Sequence, residues 1–230
     1  MSTKREALLD AGVMFAARYF RDPDRSLKRG LAFLSPTEIA DHVGCSRSLI
    51  YHLWAVEGSG DRGAAFEAYL SDVAEQLTMQ FPTRTHLAEL VRSLDGESAS
   101  TILRAAAELE LRALLDDDER ALFLSDMQLR AIGADLPHVR DSFNRIDDQR
   151  YETLADVYEK VLTDCGCEMR PPITSVQLAR ALGSLLHGFR VEAALVPNRL
   201  DETVTIDGEA WTLLAVAADG IVSSMTRPAG

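Results

Sequence analysis

The chain has 230 residues, of which 47% are hydrophobic and 26% are charged, a composition typical of a globular protein with one large domain or two unequal ones. No window approaches the roughly 18 consecutive apolar residues of a membrane helix, and the first residues lack the apolar run of a signal peptide, so we expect a cytoplasmic protein without a membrane partner. The three cysteines, Cys45, Cys165 and Cys167, argue against a disulfide framework and predict free thiols.

The formal net charge of -12 is unevenly distributed along the chain. Residues 1–60 carry eight Lys and Arg against seven Asp and Glu, a net charge of +1. The remainder carries 16 basic and 29 acidic residues, a net charge of -13. Only the front of the chain therefore suits a polyanionic partner such as nucleic acid.

The first helix is predicted from Leu8, Ala11 and Phe15, which recur at steps of three and four and so form one core-facing stripe. Residues 21–34 follow, with a proline, a glycine and alternating charges. This composition predicts a solvated loop.

Two short helices are predicted next. Ser35 is a natural N-cap and Glu38 can complete a capping box. Gly44 supplies the positive φ of a tight turn, and Ser46 is the N-cap of a second helix over residues 47–54. Two short helices joined by a glycine turn are what a helix-turn-helix requires.

The residue types on these helices favour DNA binding. Inward-facing positions that can lock the pair are Ile39, Ala40, Val43, Ile50 and Trp54. Arg47 suits a guanine edge and Leu49 a thymine methyl, while hydroxyls suit phosphates or bases. The outward residues are Ser46, Arg47, Ser48, Leu49, Tyr51 and His52. A helical hairpin inside a bundle explains the caps equally well, but not Arg47, Tyr51 and His52 on one short helix.

The remainder of the chain is predicted to be helical almost throughout, over residues 61–81, 84–94, 99–115, 117–132 and 137–165. The acidic run at residues 116–119 favours the positive end of a helix, an interpretation preferred to a metal site. Residues 203–206 are strand-like but too short to found a sheet.

The last two predicted helices are unusually apolar. Thr174 and Gln177 make a capping box before a helix that reaches about Val196, and a final helix runs from about Gly208 to Met225. Both helices are apolar on two sides, which predicts a homodimer, although both could instead be internal to a large bundle. The predicted interface residues are Leu182, Leu186, Phe189, Trp211, Leu214, Ala218, Ile221 and Val222.

Residues Ala7–Phe15 and Ser35–Trp54 resemble the TetR (tetracycline-repressor) family of bacterial transcription regulators, especially Glu-Ile-Ala at 38–40, Gly-Cys-Ser at 44–46 and Ile-Tyr at 50–51. The resemblance implies an all-α fold in which a three-helix head binds operator DNA as a dimer and a helical body holds a small-molecule effector. Ligand binding would change the separation of the two heads. The implied domains are residues 1–58, which bind DNA, and residues 59–230, which bind the ligand and dimerise.

The resemblance also implies roles for single residues. Ser35 and Thr37 would contact a phosphate, Arg47 and Ser48 would contact bases, and the adjacent pair Tyr51 and His52 would contact phosphate or base edges. With so few cations, DNA binding should be sensitive to salt.

This sequence departs from the family at several positions. Trp54 stands where phenylalanine is usual, and Leu49 where a small polar residue is usual. The lysine that commonly grips phosphate is absent, with Glu57 at or near its place. Arg62 is the candidate replacement, and the loop at residues 21–34, longer than usual, adds Arg25, Lys28 and Arg29.

The effector pocket is expected among the middle helices. The candidates are methionine, aromatic and polar residues, although such residues are also common in a plain core. They are Met79, Phe81, Arg104, Phe123, Met127, Tyr151, Tyr158 and His187. Arg104 and Glu108, one turn apart, are either a polar anchor or a surface ion pair.

Other chemistry has little support in the sequence. Glycine-rich phosphate loops, His-Glu-x-x-His and Glu-x-x-His are absent, so we expect neither catalysis nor a cofactor or metal. Cys165-Gly-Cys167 is interpreted as an incidental pair rather than a metal or redox site. The sequence thus predicts a ligand-responsive regulator, a repressor acting as a homodimer on a palindromic operator. The alternative is a helical small-molecule-binding or interaction protein whose head has lost useful DNA affinity.

Overall fold

The computed structural model describes residues 3–21, 34–56, 60–79, 89–90, 93–94, 96–196, 200 and 202–229. Within these residues the chain is mainly helical, which confirms the predicted all-α class. The helices are α1 (Lys4–Arg21), α2 (Pro36–Val43), α3 (Arg47–Leu53), α4 (Arg62–Met79), α5 (Ala99–Leu114), α6 (Asp117–Gly133), α7 (Pro137–Asp164), α8 (Ser175–Leu195) and α9 (Leu213–Met225). The predicted loop at 21–34 and helix at 84–94 lie largely outside the described residues.

The predicted caps explain where several helices begin. The Ser35 hydroxyl accepts a hydrogen bond from the Glu38 N–H at 3.4 Å. At the start of α8, the Gln177 N–H donates to Thr174 Oγ1 at 3.2 Å and the Thr174 N–H donates to Gln177 Oε1 at 2.9 Å, which completes the predicted capping box. Gly44 has a φ of 66° and ends α2 as predicted.

The segment before α9 differs from its prediction. Strands β2 (Thr203–Ile206) and β3 (Glu209–Thr212) form an antiparallel hairpin. The expectation that residues 203–206 are too short to begin a sheet is therefore wrong. Asp207 and Gly208 both have positive φ, at 51° and 85°, as a tight two-residue hairpin turn requires. Helix α9 therefore begins at Leu213, and Trp211 lies on a strand. A second ribbon pairs β1 (Cys167–Met169) with β4 (Thr226–Pro228).

The first compact unit comprises Met1–Phe81 and Asp117–Asp147. Its apolar core joins helices α1 to α4 with α6 and the start of α7. Tyr69 of α4 is fully buried, and its hydroxyl donates to the Leu8 carbonyl of α1 at 2.9 Å. A Cβ at Gly12 would lie 2.3 Å from the Tyr69 hydroxyl, so glycine permits this close approach of α1 to α4. Burial raises the pKa of Tyr69, which keeps its hydroxyl available as a donor.

The second compact unit comprises Pro82–Asp116 and Asp148–Gly230. One apolar cluster includes Trp211, Leu214 and Ala107, and another is formed around Leu114 and Leu200. Half-buried residues of α8 pack against both clusters. The predicted boundary at residue 58 separates a DNA-binding domain from a ligand-binding domain, whereas these two units are defined by contacts within the chain. That boundary stays a prediction.

Candidate nucleic-acid interface

Helices α2 and α3 form a compact pair around the Gly44 turn. The Gly44 N–H donates to the Asp41 carbonyl at 3.1 Å, and the Cys45 N–H donates to the Ala40 carbonyl at 2.9 Å. These bonds satisfy carbonyls at the end of α2 and reverse the chain within three residues. Helix α3 then begins with Arg47.

The inward face of the pair is apolar, as predicted. Ile39, Ala40, Ile50 and Trp54 are buried, and Val43 is half-buried against the same core. Because both helices bury side chains in one cluster, their crossing angle is held by packing on a single face. The opposite face of α3 is left to solvent.

The outward face contains most of the predicted DNA-binding residues. Exposed side chains are those of Thr37, Ser46, Arg47, Ser48 and His52, whereas Ser35, Leu49 and Tyr51 are half-buried. Ser46 occupies the N-cap position of α3, but its hydroxyl makes no capping bond and instead lies 2.8 Å from the Ser48 hydroxyl. Leu49 packs against the apolar core of the first unit, so only part of its surface faces outward.

Arg62 lies beside Tyr51 of α3. This exposed residue begins α4, and its guanidinium carbon is 5.7 Å from the centroid of the Tyr51 ring. A cation at this distance over an aromatic face is held by the ring's negative potential. The position suits the role expected for Arg62. Glu57, and Arg25, Lys28 and Arg29 of the predicted loop, lie outside the described residues.

Two residues that the sequence did not single out also reach this region. Asp72 of α4 accepts a hydrogen bond from the indole N–H of Trp54 at 2.6 Å and forms an ion pair with Arg5 of α1. The available signal was Trp54 itself, because a buried indole N–H requires an acceptor that phenylalanine does not. The identity of that acceptor depends on how α4 packs.

The predicted effector residues divide between the two units. Phe123 is buried in the first unit, where Met127 is half-buried and Met79 is 74% exposed. Arg104, Tyr151, Tyr158 and His187 lie in the second unit and are half-buried. Phe81 lies outside the described residues. Their shared pocket stays a prediction.

Within the second unit, several of these side chains have identifiable partners. Arg104 forms an ion pair with Glu209 of β3 and lies 5.9 Å from the Trp211 ring, while Glu108 is 4.0 Å from Arg112. Burial and the nearby Glu110 carboxylate raise the pKa of Tyr158 to about 12. The Tyr158 phenol is therefore neutral near pH 7 and can donate a hydrogen bond.

The first unit contains an open cleft of about 380 Å³ between α4 and the start of α7. Its lining combines apolar, hydroxyl and charged side chains: Val56, Ala68, Ser71, Asp72, His138, Asp141, Ser142 and Arg145. This set shares no member with the predicted effector residues.

The predicted interface residues are not equally accessible. Leu182, Leu186, Phe189, Ile221 and Val222 are half-buried. Trp211, Leu214 and Ala218 are buried within a single chain, because the hairpin turns Trp211 into the core beside α9. These three residues therefore stabilise their own unit.

The cysteines are free thiols, as predicted. Burial raises the pKa of Cys165, and the neighbouring Cys167 and Asp164 raise it further, so the reactive thiolate is disfavoured. Among the described residues, no group of three His, Cys, Asp or Glu side chains is placed to hold a metal ion. In the same part of the chain, none of the helices has the length and apolarity needed to cross a bilayer.

No protein-family model matches this chain, and no curated protein matches its sequence. Solved structures do match its fold. A protein from Mesorhizobium loti MAFF303099, described as a TetR-family transcriptional regulator, is 17% identical with a TM-score of 0.55 over 97% of this chain and 96% of its own. A transcriptional regulator from Rhodococcus sp. Rha1 is also 17% identical, with a TM-score of 0.56 and the same two coverages.

A third structure is NalD, the secondary repressor of the MexAB-OprM multidrug efflux pump in Pseudomonas aeruginosa. It is 17% identical, with a TM-score of 0.52 over 96% of each chain. These likenesses extend over nearly the whole chain and include the helix-turn-helix. The chain therefore has the fold of the TetR-family transcriptional regulators, a mainly helical architecture with an amino-terminal helix-turn-helix head.

Proposed function

We propose that this chain is a DNA-binding transcriptional regulator whose helix α3 enters the major groove. The observation that carries the proposal is the two-sided character of α3. Ile50 anchors one side in the head core, while Arg47, Ser48 and His52 face solvent on the other. A short helix held rigidly on one face can present donors to base edges on the other. The regulators with the same fold support this proposal.

Contacts to the DNA backbone are proposed on both sides of α3. Ser35 and Thr37 lie at the start of α2, where free N–H groups attract phosphate oxygens. Arg62 lies over Tyr51 at the start of α4. The whole chain has a net charge of -12, which repels DNA. Arg62 and the start of α2 must attract phosphates strongly enough to overcome this repulsion. We therefore expect affinity to fall as salt is raised, with a slope set by the few cations that reach phosphates.

A homodimer is the proposed assembly. Helices α8 and α9 have half-buried apolar residues, including Leu182, Ile221 and Val222, and Leu195 is 75% exposed. A second copy covering these side chains would remove apolar surface from water. Two-fold symmetry would also place two recognition helices on half-sites about 34 Å apart, as a palindromic operator requires.

Repression and a response to a small molecule complete the proposal. NalD is described as a repressor, which supports repression rather than activation by this chain. An effector held by the helical body would act by favouring a conformation whose recognition helices no longer match the operator. The half-buried, neutral Tyr158 is one donor that such a pocket offers.

The test is selection of duplexes from a random-sequence library, followed by fluorescence anisotropy with the selected and scrambled DNA at two salt concentrations. Arg47→Ala should weaken binding to the selected duplex by about 1–3 kcal/mol and relax its specificity. Arg140→Ala, which removes an exposed arginine of α7 in the same unit, is the matched control and should change little. Failure of the wild-type protein to enrich any duplex would contradict the proposal and favour a helical small-molecule-binding or interaction protein.

A further inference from the structure

Three residues from three helices or helix ends meet beside the recognition helix, and we call Arg5, Trp54 and Asp72 the Asp72 cluster. The Trp54 indole N–H donates to Asp72 Oδ2 at 2.6 Å. Arg5 forms an ion pair with the same carboxylate oxygen. The Arg5 guanidinium carbon also lies 5.0 Å from the centroid of the Trp54 ring. Each member therefore contacts both others.

Trp54 connects this cluster to the recognition helix, because it is the C-cap residue of α3. Trp54 is 5% exposed, and its ring meets the Tyr69 ring edge-on, with centroids 4.9 Å apart. Tyr69 and Asp72 both belong to α4. The end of α3 is thus held by α4 through an apolar contact and through a hydrogen bond to a charged acceptor.

The hydrogen bond restricts the orientation of the indole more closely than the aromatic contact alone does. The aromatic packing buries the Trp54 ring without choosing an acceptor for its N–H, whereas a charge-assisted hydrogen bond is directional and roughly twice as strong as a neutral one. Arg5 adds a weaker contact, because its side chain is 49% exposed where it pairs with the Asp72 carboxylate and lies over the indole face. Together these contacts favour the observed orientation of the indole at the end of α3.

We propose that Asp72 is a positioning residue for DNA recognition, which acts through Trp54 to set the orientation of helix α3. The inference rests on the proposed DNA-binding function and assigns it a residue outside the helix-turn-helix. Asp72 itself need not touch DNA. Removing the Asp72 carboxylate does not change Arg47 or Ser48 themselves, but it lets the end of α3 adopt other orientations. Contacts from α3 to several bases at once then become weaker.

The test compares selected-duplex affinity for the wild type, Trp54→Phe, Asp72→Ala and Asp72→Asn. Trp54→Phe keeps an aromatic ring, smaller than the indole, and removes the donor, while Asp72→Asn keeps an acceptor and removes the charge. We expect Trp54→Phe and Asp72→Ala each to weaken binding by about tenfold, the loss of one hydrogen bond to a charged group, and Asp72→Asn to retain part of the affinity. The double variant that combines Trp54→Phe with Asp72→Ala should bind DNA no more weakly than Asp72→Ala alone, since both changes break the same hydrogen bond.

Glu75→Ala is the matched control. It also removes a carboxylate from α4, but its partner is Arg145 of α7 at 2.9 Å. Thermal unfolding of every variant is measured in parallel, and DNA binding is measured well below the lowest midpoint. A loss of affinity in Asp72→Ala with full affinity in Glu75→Ala supports positioning. A loss of affinity that follows the unfolding midpoint across all variants, Glu75→Ala included, overturns it.

The hydrogen bond has its own readout in proton–nitrogen NMR spectra. The chain has two tryptophans, so the Trp54 indole resonance is the one missing from Trp54→Phe. Asp72→Ala should shift this resonance and speed its exchange with water, and an unchanged resonance overturns the inference. A wild-type protein that binds no duplex selectively overturns the proposed function, whereas selective binding that Trp54→Phe and Asp72→Ala leave intact overturns the positioning role alone.

Discussion

The two compact units differ in how their apolar residues are used. The described residues of the first unit form one continuous core that joins α1 to α4 with α6 and the start of α7. In the second unit the described residues form two smaller clusters, and several apolar residues of α8 and α9 remain half-buried. Helix α3, the proposed recognition helix, thus lies in the unit whose described residues form the larger internal core. The second unit retains apolar surface that a second copy would cover in the proposed homodimer.

Deleting equivalent leucine side chains tests this difference most strongly. Leu77 is fully buried in the first unit and Leu114 is 6% exposed in the second. We expect Leu77→Ala to cost about 3–5 kcal/mol and Leu114→Ala about 2–3 kcal/mol, because a site with half-buried neighbours can collapse more easily. Urea unfolding monitored by circular dichroism measures both, with exposed Met79→Ala as the control. Equal losses for the two leucines would contradict the difference.

Alanine at two helical glycines should act in opposite directions. A Cβ at Gly12 meets the Tyr69 hydroxyl and Val73, whereas a Cβ at Gly188 in the second unit meets nothing within 4 Å. We expect Gly12→Ala to destabilise by about 1–3 kcal/mol through overpacking. Gly188→Ala should instead gain up to about 1 kcal/mol in helix propensity.

Thermal unfolding of the two glycine variants gives the comparison. Adding Tyr69→Phe to Gly12→Ala removes the hydroxyl that is 2.3 Å from the new Cβ, and should recover part of the loss. A Gly12→Ala protein as stable as the wild type would show that α1 and α4 are not held at this separation.

A charge on the apolar surface of the second unit should affect assembly more than folding. Leu195 is 75% exposed, so Leu195→Glu costs little in an isolated chain but places a charge in the proposed dimer interface. We expect a tenfold or greater weakening of dimerisation, at about 1.4 kcal/mol per factor of ten. Sedimentation equilibrium measures it, and Met79→Glu, equally exposed in the first unit, is the control. A wild-type protein that is monomeric would sink the homodimer proposal itself.

Salt dependence gives the smallest of the expected differences. Arg62→Gln should reduce the slope of log affinity against log salt by about one, if this cation displaces one counterion from DNA. Asp72→Asn, which removes a charge that faces Arg5 rather than DNA, should lower affinity without changing the slope. Anisotropy titrations over a range of salt concentrations separate the two cases.

Much of the head could be predicted because its signals are local. Ser35 caps α2 through a residue three positions away, and the φ of Gly44 ends the same helix. Apolar spacing placed Ile39 and Ile50 inside the core. Capping bonds and glycine conformations act within about four residues, so a single sequence contains the information.

The carboxy-terminal segment shows where the same reasoning fails. Trp211, Leu214 and Ala218 have helical spacing, and this period concealed an Asp-Gly turn between two runs of alternating residues. The structure has a hairpin there, with Thr212 capping α9 after it. The apolar spacing of this segment fits either a helix or a hairpin followed by a helix. The preference of Asp207 and Gly208 for a tight turn decided in favour of the hairpin.

The sequence by itself determined the all-helical class, most helix boundaries and the outward residues of α3, because these follow from preferences of neighbouring residues. Tertiary structure decided which side chains meet: Arg5 with Asp72 across 67 positions, Trp54 with Asp72 across 18, and Arg62 with Tyr51. Partners so far apart depend on how whole helix faces pack, which no local pattern encodes.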